Sequence, residues 1–334
     1  MMSRVEVVRS ATDLVTGGSL KSLLRGIVKK VPVLGRPFFQ RDELRAVVRQ
    51  LWETPGHFYS PIPDTAAIRR REDTVFDTNV REIAGIDLNE QAQLSLLDEF
   101  IPFYAGQPFT AHRQEGLRYF FENNAFSYFD AIVYHCLLRR LEPRRVIEVG
   151  SGYSSCALLD TNERFFGHRI ACTFIEPYPQ LLTSLLRDDD RSRTTLIARN
   201  LQDVDPDIFR ELSADDILFI DSSHVVKTHS DVNYVFFEVL PRLRDGVYIH
   251  FHDIFHPFEY PREWVYQGRA WNEAYLLRAF LQENSRYSIE LFNSFVEVFH
   301  RDRIARQMPL CLRYAEQSMI PTSAQSIWLR KQSG

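Results

Sequence analysis

From position 145 the chain alternates short apolar runs with longer amphipathic ones. The short runs fall at 145–149, 170–175, 194–198, 216–220 and 246–251 and are rich in β-branched and aromatic residues. Runs of that length read as strands, and the stretches between them carry helical spacing. Strand–helix alternation predicts an α/β chain with a parallel sheet covered on both faces. Two later runs, Ser288–Phe292 and Ser326–Leu329, predict two further strands.

Upstream the pattern is helical. Leu20, Leu23, Leu24, Ile27, Val28 and Val31 recur at helical spacing, with Lys21, Arg25, Lys29 and Lys30 between them. Residues 1–50 hold ten Lys/Arg against four Asp/Glu. Residues 14–37 thus fit peripheral contact with an anionic membrane, or a partner, and equally a helix packed on its own domain with a solvated basic face. A second helix is predicted from Glu43 to Trp52, after Asp42. Thr54–Pro63 has three prolines and a glycine in ten residues, so it must be an extended, turning loop. Its His57, Phe58 and Tyr59 are expected to pack. Asn89–Phe100 and Asp130–Leu141 are the next helical patterns, and Pro143 closes the second.

Composition narrows the class. A net charge of -4 argues against a general nucleic-acid binder. Cys136, Cys156, Cys172 and Cys311 form no C-x-x-C, which reads as reduced thiols and a cytoplasmic location. No apolar run reaches the ~18 residues of a membrane span.

The candidate chemistry sits at strand ends. Arg145–Val149 stops at Gly150-Ser151-Gly152, and Tyr153, Ser154 and Ser155 open the next helix, the serines as candidate caps. Ser155 stands where a dinucleotide fingerprint has its third glycine, and no Gly-Lys-Ser/Thr follows to make a phosphate-cradling loop. The second strand ends in Glu176, roughly 20 residues or a little more beyond the glycine turn, where a carboxylate can hold two ribose hydroxyls. Glu148 lies inside the first strand, where a carboxylate is costly unless paired. Asp221 ends the fourth strand, as a ligand-facing group or as a helix cap before Ser222 and Ser223. Five of the ten histidines, His224, His229, His250, His252 and His256, lie between 224 and 256. His250 and His252 share one strand face by period two.

The run from Phe126 to about Pro261 resembles class I S-adenosylmethionine-dependent methyltransferases, and is most similar to bacterial small-molecule and sugar O-methyltransferases. Glu148–Ser155, Ile175-Glu176-Pro177, Phe219–His224 and His250–Phe255 carry the likeness, which extends more weakly through Gly56–Pro63 and Gly268–Glu273. The resemblance implies a Rossmann-like, doubly wound, mostly parallel seven-stranded sheet, with Ser326–Leu329 antiparallel beside the fifth strand. The division that follows is an N-terminal helical and loop extension with a lid over 1–125, and a methyltransferase domain over 126–334. It implies S-adenosylmethionine bound by Glu148, Gly150, Ser151, Gly152, Tyr153, Ser154, Glu176 and Asp221. After the third strand, Asn200, Gln202 and Asp203 stand where such enzymes contact adenine, and Gln202 is the choice. In catechol-type relatives a catalytic lysine stands at the position of His224, which makes His224 the candidate base. His252 and Asp253 replace the Asp-Asn pair of metal-dependent relatives. Asp221, His252 and Asp253 are therefore the candidate ligands for Mg²⁺ or another divalent metal; without metal, His252 and Asp253 bind the acceptor or act as a base pair. Tyr153, Tyr128 and the 55–63 loop are candidate walls of the site. Trp264, Arg269, Trp271, Asn272 and Glu273 read either as the grip on a sugar or other polyol or as a buried anchor. Two competing readings remain: a nicotinamide-dependent oxidoreductase, and a methyltransferase-like module that only binds. The pattern leaves the oligomeric state open.

Overall fold

The computed structural model describes residues 51–334. The basic 14–37 segment and nearly all of the predicted 43–52 helix lie outside the described residues. Leu51 and Trp52, at that helix's predicted end, are not helical. The chain divides into two compact units between Thr65 and Ala66.

In the first unit, Thr54–Pro63 is the turning loop its prolines require. Gly56 N donates to Ile62 O and Ser60 N to His57 O. Phe58 and Tyr59 do not pack into a core, contrary to expectation. They are 79% and 60% exposed, and stack on each other, on His57 and, through Tyr59, on Trp52.

The second unit is built on one seven-stranded sheet, ordered β3-β2-β1-β4-β5-β7-β6. The strands are β1 (Arg145–Val149), β2 (Ala171–Ile175), β3 (Thr194–Ile197), β4 (Ile217–Ile220), β5 (Tyr248–Phe251), β6 (Tyr287–Phe292) and β7 (Ile327–Lys331). β1 to β5 pair in parallel, and β7 runs antiparallel between β5 and β6. Every residue of β4 and β5 is buried, as a strand covered on both faces should be. β5 starts two residues later than predicted. Gly246, at φ +84°, makes the turn ahead of it. The C-terminal residues belong to the core: Lys331 Nζ donates to the carbonyls of Leu240, Pro241 and Leu243 at 3.1, 3.2 and 2.8 Å.

Helix α1 (Glu90–Ala105) packs on α2 (Tyr128–Leu141), and α2 packs on α3 (Tyr153–Phe166). α2 is buried from Tyr128 through Leu138 because its aromatics and aliphatics surround it on all sides. Tyr128 is part of that core, stacked on Phe121 at 4.5 Å, and is not a wall of the site. The segment leading into α2 is fastened by Arg118. Its buried guanidinium reaches Asp160 at 2.8 Å, Glu163 at 2.6 Å and Asp190 at 2.5 Å. Such a fully paired cation tolerates burial that an isolated one would not.

Candidate functional site

The parallel strands end in a staircase. The residue after each strand donates its N–H to the last carbonyl of the strand beside it. Glu176 N meets Ile197 O, Gly150 N meets Ile175 O, Asp221 N meets Val149 O and His252 N meets Ile220 O, all within 2.8–3.1 Å. This brings Glu176, Gly150, Asp221 and His252 to one edge, centred where the strand order reverses between β1 and β4. Open α/β sheets bind ligands at that switch point.

The glycine turn fits only glycine at its first position. Gly150 has φ +80°, and a Cβ there would lie 1.6 Å from the Asp221 carbonyl oxygen. Beneath the turn, Glu148 is fully buried and accepts from Tyr134 Oη at 3.0 Å and Ser155 Oγ at 2.5 Å. Burial raises its pKa to about 8, with both hydroxyls opposing the rise. Ser155 Oγ accepts in turn from Gly152 N at 3.2 Å. The serines therefore act differently from the predicted caps. Gly152 precedes the helix, Ser154 and Ser155 are buried in its first turn, and Ser155 reaches back to hold it. Tyr153 opens α3 with its ring edge-on to Phe120 at 5.6 Å.

Glu176 closes the cofactor-side groove. Its Oε2 accepts from Ser151 N at 3.2 Å and its Oε1 from Tyr178 N at 2.7 Å. The Ser151 hydroxyl beside it is buried without a partner. The groove is a cavity of about 440 Å³ lined by Gly150, Glu176, Gln202 and Asp221 among others. Gln202 is fixed there by donating to His229 O at 2.6 Å. Asn200 also lines it, whereas Asp203 is exposed and accepts from Asn200 Nδ2.

A second cavity, of about 240 Å³, opens beyond Asp221. Asp221, His252, Asp253, Trp264 and Arg269 are among its walls. Asp221 is common to both spaces. It does not cap a helix: Ser223 turns to Asp231 instead, and the Asp221 carboxylate faces His224.

His224 is the centre of a buried charge cluster. Its Nε2 lies 3.4 Å from Asp221 Oδ1 and 3.4 Å from Asp253 Oδ2, and its Nδ1 is 2.9 Å from Glu273 Oε2. The loop is locked in place because Asn272 N and Glu273 N both donate to the His224 carbonyl. His224 and Asp253 both hold left-handed backbones, at φ 58° and 56°. Backbone strain of this kind concentrates at functional sites. Burial disfavours the imidazolium, but Asp221, Glu273 and Asp253 overcome it and hold the His224 pKa well above the ordinary value. The two aspartates split. Burial opposes ionisation of Asp221, but His252 and His224 bring it down to about 2. Burial wins at Asp253 and raises it.

The cluster differs from the predicted ligand set at one position. Asp221, His224 and Asp253 bring ligand atoms within 4.8 Å of one another. His252 is not in that group. Its Nδ1 meets Ser326 Oγ at 3.3 Å and lies 3.9 Å from Asp130, while Nε2 is 3.6 Å from Asp253. The remaining histidines have other roles. His250 is a core residue stacked on Phe219 and bonded to Ser326. His256 donates to Val80 O. His229 is exposed at the groove rim. Sequence reasoning missed Asp130, a buried carboxylate that accepts from Asn293 and from Gln325 N behind His252. A lone acid in the aromatic start of α2 was its only signal.

The donor set suits a divalent cation. Asp221 and Asp253 offer hard oxygens and His224 Nε2 a nitrogen, with Glu273 orienting the ring from behind, as outer carboxylates do for metal-bound histidines. The acids Asp130, Asp253 and Glu273, buried, with the part-exposed Asp221, outnumber His224 and His252.

Residues 147–254 match the family model described as a methyltransferase domain. An uncharacterized protein of Archaeoglobus fulgidus is 37% identical over 169 residues, 47% of this chain and 72% of that protein. Among solved structures, the S-adenosylhomocysteine-bound methyltransferase PaMTH1 of Podospora anserina is 13% identical. It covers 82% of this chain and 99% of its own, with a TM-score of 0.38. The O-methyltransferase TomG of Streptomyces achromogenes, in complex with S-adenosylmethionine, is 15% identical over 80% of this chain and 96% of its own, with a TM-score of 0.39. Residues 147–254 thus carry a methyltransferase domain, set on a sheet with an antiparallel β7 and a glycine turn facing Glu176, and the chain is a relative of the Archaeoglobus fulgidus protein.

Proposed function

We propose that the protein moves the methyl group of S-adenosylmethionine to a hydroxyl of a small molecule, with sugars within the acceptor class. The observation that carries this is the sharing of Asp221 between the cofactor groove and the smaller pocket. A methyl donor in one and a hydroxyl in the other meet at that carboxylate. Glu176 holds the ribose, the Gly150–Ser154 turn the methionine end, and Gln202 the adenine side. Glu148 acts from beneath by fixing Ser155 and Tyr134.

Transfer needs alignment more than acid chemistry. The acceptor oxygen bonds to the methyl carbon as the carbon–sulfur bond breaks, and the sulfonium leaves as a neutral thioether. The hydroxyl proton passes to the Asp253 carboxylate of the His224–Asp253 pair, since His224 is already held in its charged form. The split between Asp221 and Asp253 keeps one carboxylate ionised and makes the other the better proton acceptor. Asp221, His224 and Asp253 would hold a divalent ion, which lowers the pKa of a bound hydroxyl when present. His252 lines the acceptor side. The four buried free thiols suit a reducing, cytoplasmic setting. No helix among the described residues is long and apolar enough to cross a membrane. A module that only binds is the weaker reading, because so many buried charges at a ligand-facing edge are costly to keep.

Calorimetric titration with S-adenosylhomocysteine tests the reading. Wild type should bind at about micromolar Kd, and Glu176→Ala should lose roughly 10-fold or more as two charge-assisted bonds disappear. Absence of binding to wild type would sink the proposal. An unchanged rate in a His224→Ala/Asp253→Ala double variant would remove the assigned pair, and methylation that survives strong chelation would remove the ion.

A further inference from the structure

The acceptor pocket has two unlike ends. One is acidic, formed by Asp221 and Asp253. The other carries Arg269 and Trp264. Arg269 is half-buried, with its guanidinium 4.2 Å from the Trp264 ring and 4.9 Å from the Trp271 ring. Among the described residues its side chain has no hydrogen-bond acceptor and no ion-pair partner; its charge reaches Asp253 only through space. Arg139 is likewise part-buried over two rings, those of Phe103 and Phe165, but it is not among the walls of either cavity. Arg118, by contrast, is saturated by three carboxylates.

Trp264 is the platform beneath the guanidinium. It is 5% exposed, and its indole N–H is closed off from the cavity. The Arg269 guanidinium therefore meets the cavity as an unpaired cationic fork, which calls for a ligand that brings acceptor oxygens.

The aromatic rings are not free to take a sugar face. Trp264 has Arg269 over its ring and Phe255 and Trp271 edge-on at 5.2 and 5.3 Å. Trp271 carries Arg269 and has the His224 ring at 4.5 Å. Their role is to hold the guanidinium rigid, which lowers the entropy lost when it binds an anion.

We infer that the acceptor is a hydroxy acid whose carboxylate is bound by Arg269, while its hydroxyl faces Asp221 and Asp253. The inference rests on the methyl-transfer reading and adds the substrate class. A cavity of about 240 Å³ encloses a small molecule or the reacting part of a larger one.

The test titrates the full chain, saturated with S-adenosylhomocysteine and Mg²⁺, with lactate, tartrate, 3-hydroxybenzoate and 3,4-dihydroxybenzoate, each against its primary amide. The amide keeps shape and hydroxyls and removes the charge. At least one carboxylate should bind about 10-fold or more tightly than its amide. Arg269→Gln should bring that ratio near one, and Arg269→Lys should retain part of it because a point charge replaces the fork. The affinity for S-adenosylhomocysteine, measured on each variant, reports that the fold is intact. Amides binding as well as acids throughout, or a preference that survives in Arg269→Gln, overturns the inference. Failure of wild type to bind S-adenosylhomocysteine overturns instead the reading on which it rests.

Discussion

The two halves of the site are built on different principles. The groove proposed for the cofactor, at the ends of β1, β2 and β3, is made of backbone. Glu176 is satisfied by two main-chain N–H groups, Gly150 is shaped by its own φ, and Gln202 is tied to a carbonyl. The acceptor half, beyond β4 and β5, is made of buried side-chain charge. His224, Asp221, Asp253 and Glu273 satisfy one another, and Arg269 stands against them on two indoles. Backbone sites are rigid and generic, which suits a ligand common to a family. Charge clusters are costly without the right occupant, which makes them selective.

The strongest way to break the comparison is Gly150→Ala, since that residue's neighbour Asp221 belongs to both halves. A Cβ 1.6 Å from a main-chain oxygen cannot be accommodated without moving β4. Binding of S-adenosylhomocysteine should be abolished and stability should fall by about 3 kcal/mol or more, read from urea unfolding. If binding survives, the turn is softer than its geometry implies.

Glu273→Gln should separate the halves. It removes the charge behind His224 and leaves the groove untouched, so kcat should fall about 10–100-fold while the affinity for S-adenosylhomocysteine stays the same. Parallel loss of both would mean that the acceptor half also supports the groove.

Glu148→Gln probes the floor beneath the turn through pH. The Glu148 pKa rises with burial from an ordinary 4.5 to about 8 in the fold. Between those values the folded protein keeps a proton that the unfolded chain has lost, so stability falls as pH rises through the window. Glutamine has no such proton. From pH 5 to 8 the variant should therefore gain on wild type, by on the order of 1 kcal/mol or more in unfolding free energy. A constant difference would show that Glu148 is ionised in the fold. The smallest effect is expected from Gln202→Ala, a loss of about 3–10-fold in S-adenosylhomocysteine affinity, as one neutral hydrogen bond is removed.

The strands were legible because each is a short apolar run, and the 216–220 and 246–251 runs sit within two residues of β4 and β5. The glycine turn, Glu176 and Asp221 were legible because strand ends in a parallel sheet share one edge whatever the loops do. Thr54–Pro63 was legible as a loop, but its exposed aromatics were not. Nothing in a local pattern says whether a ring finds a partner. Ser154 and Ser155 carried the composition of caps, yet the cap residue is Gly152, because Glu148 below recruits Ser155.

The linear chain therefore determined the α/β alternation and the order of groups along the ligand-facing edge, which follow from periodicity and strand-end chemistry within a few residues, while the cofactor class rested on the resemblance of those motifs to a known family. Tertiary structure alone decided which side chains became one site. Glu273 reaches His224 across 49 positions, and Asn293 reaches Asp130 across 163. It also placed His224 instead of His252 with the two aspartates, since period two says which face a strand residue takes but not how a ring turns once Asp130 and Ser326 compete for it. Charge pairing over such separations has no signature in the local pattern, because its energy appears only when folding removes the water between the groups.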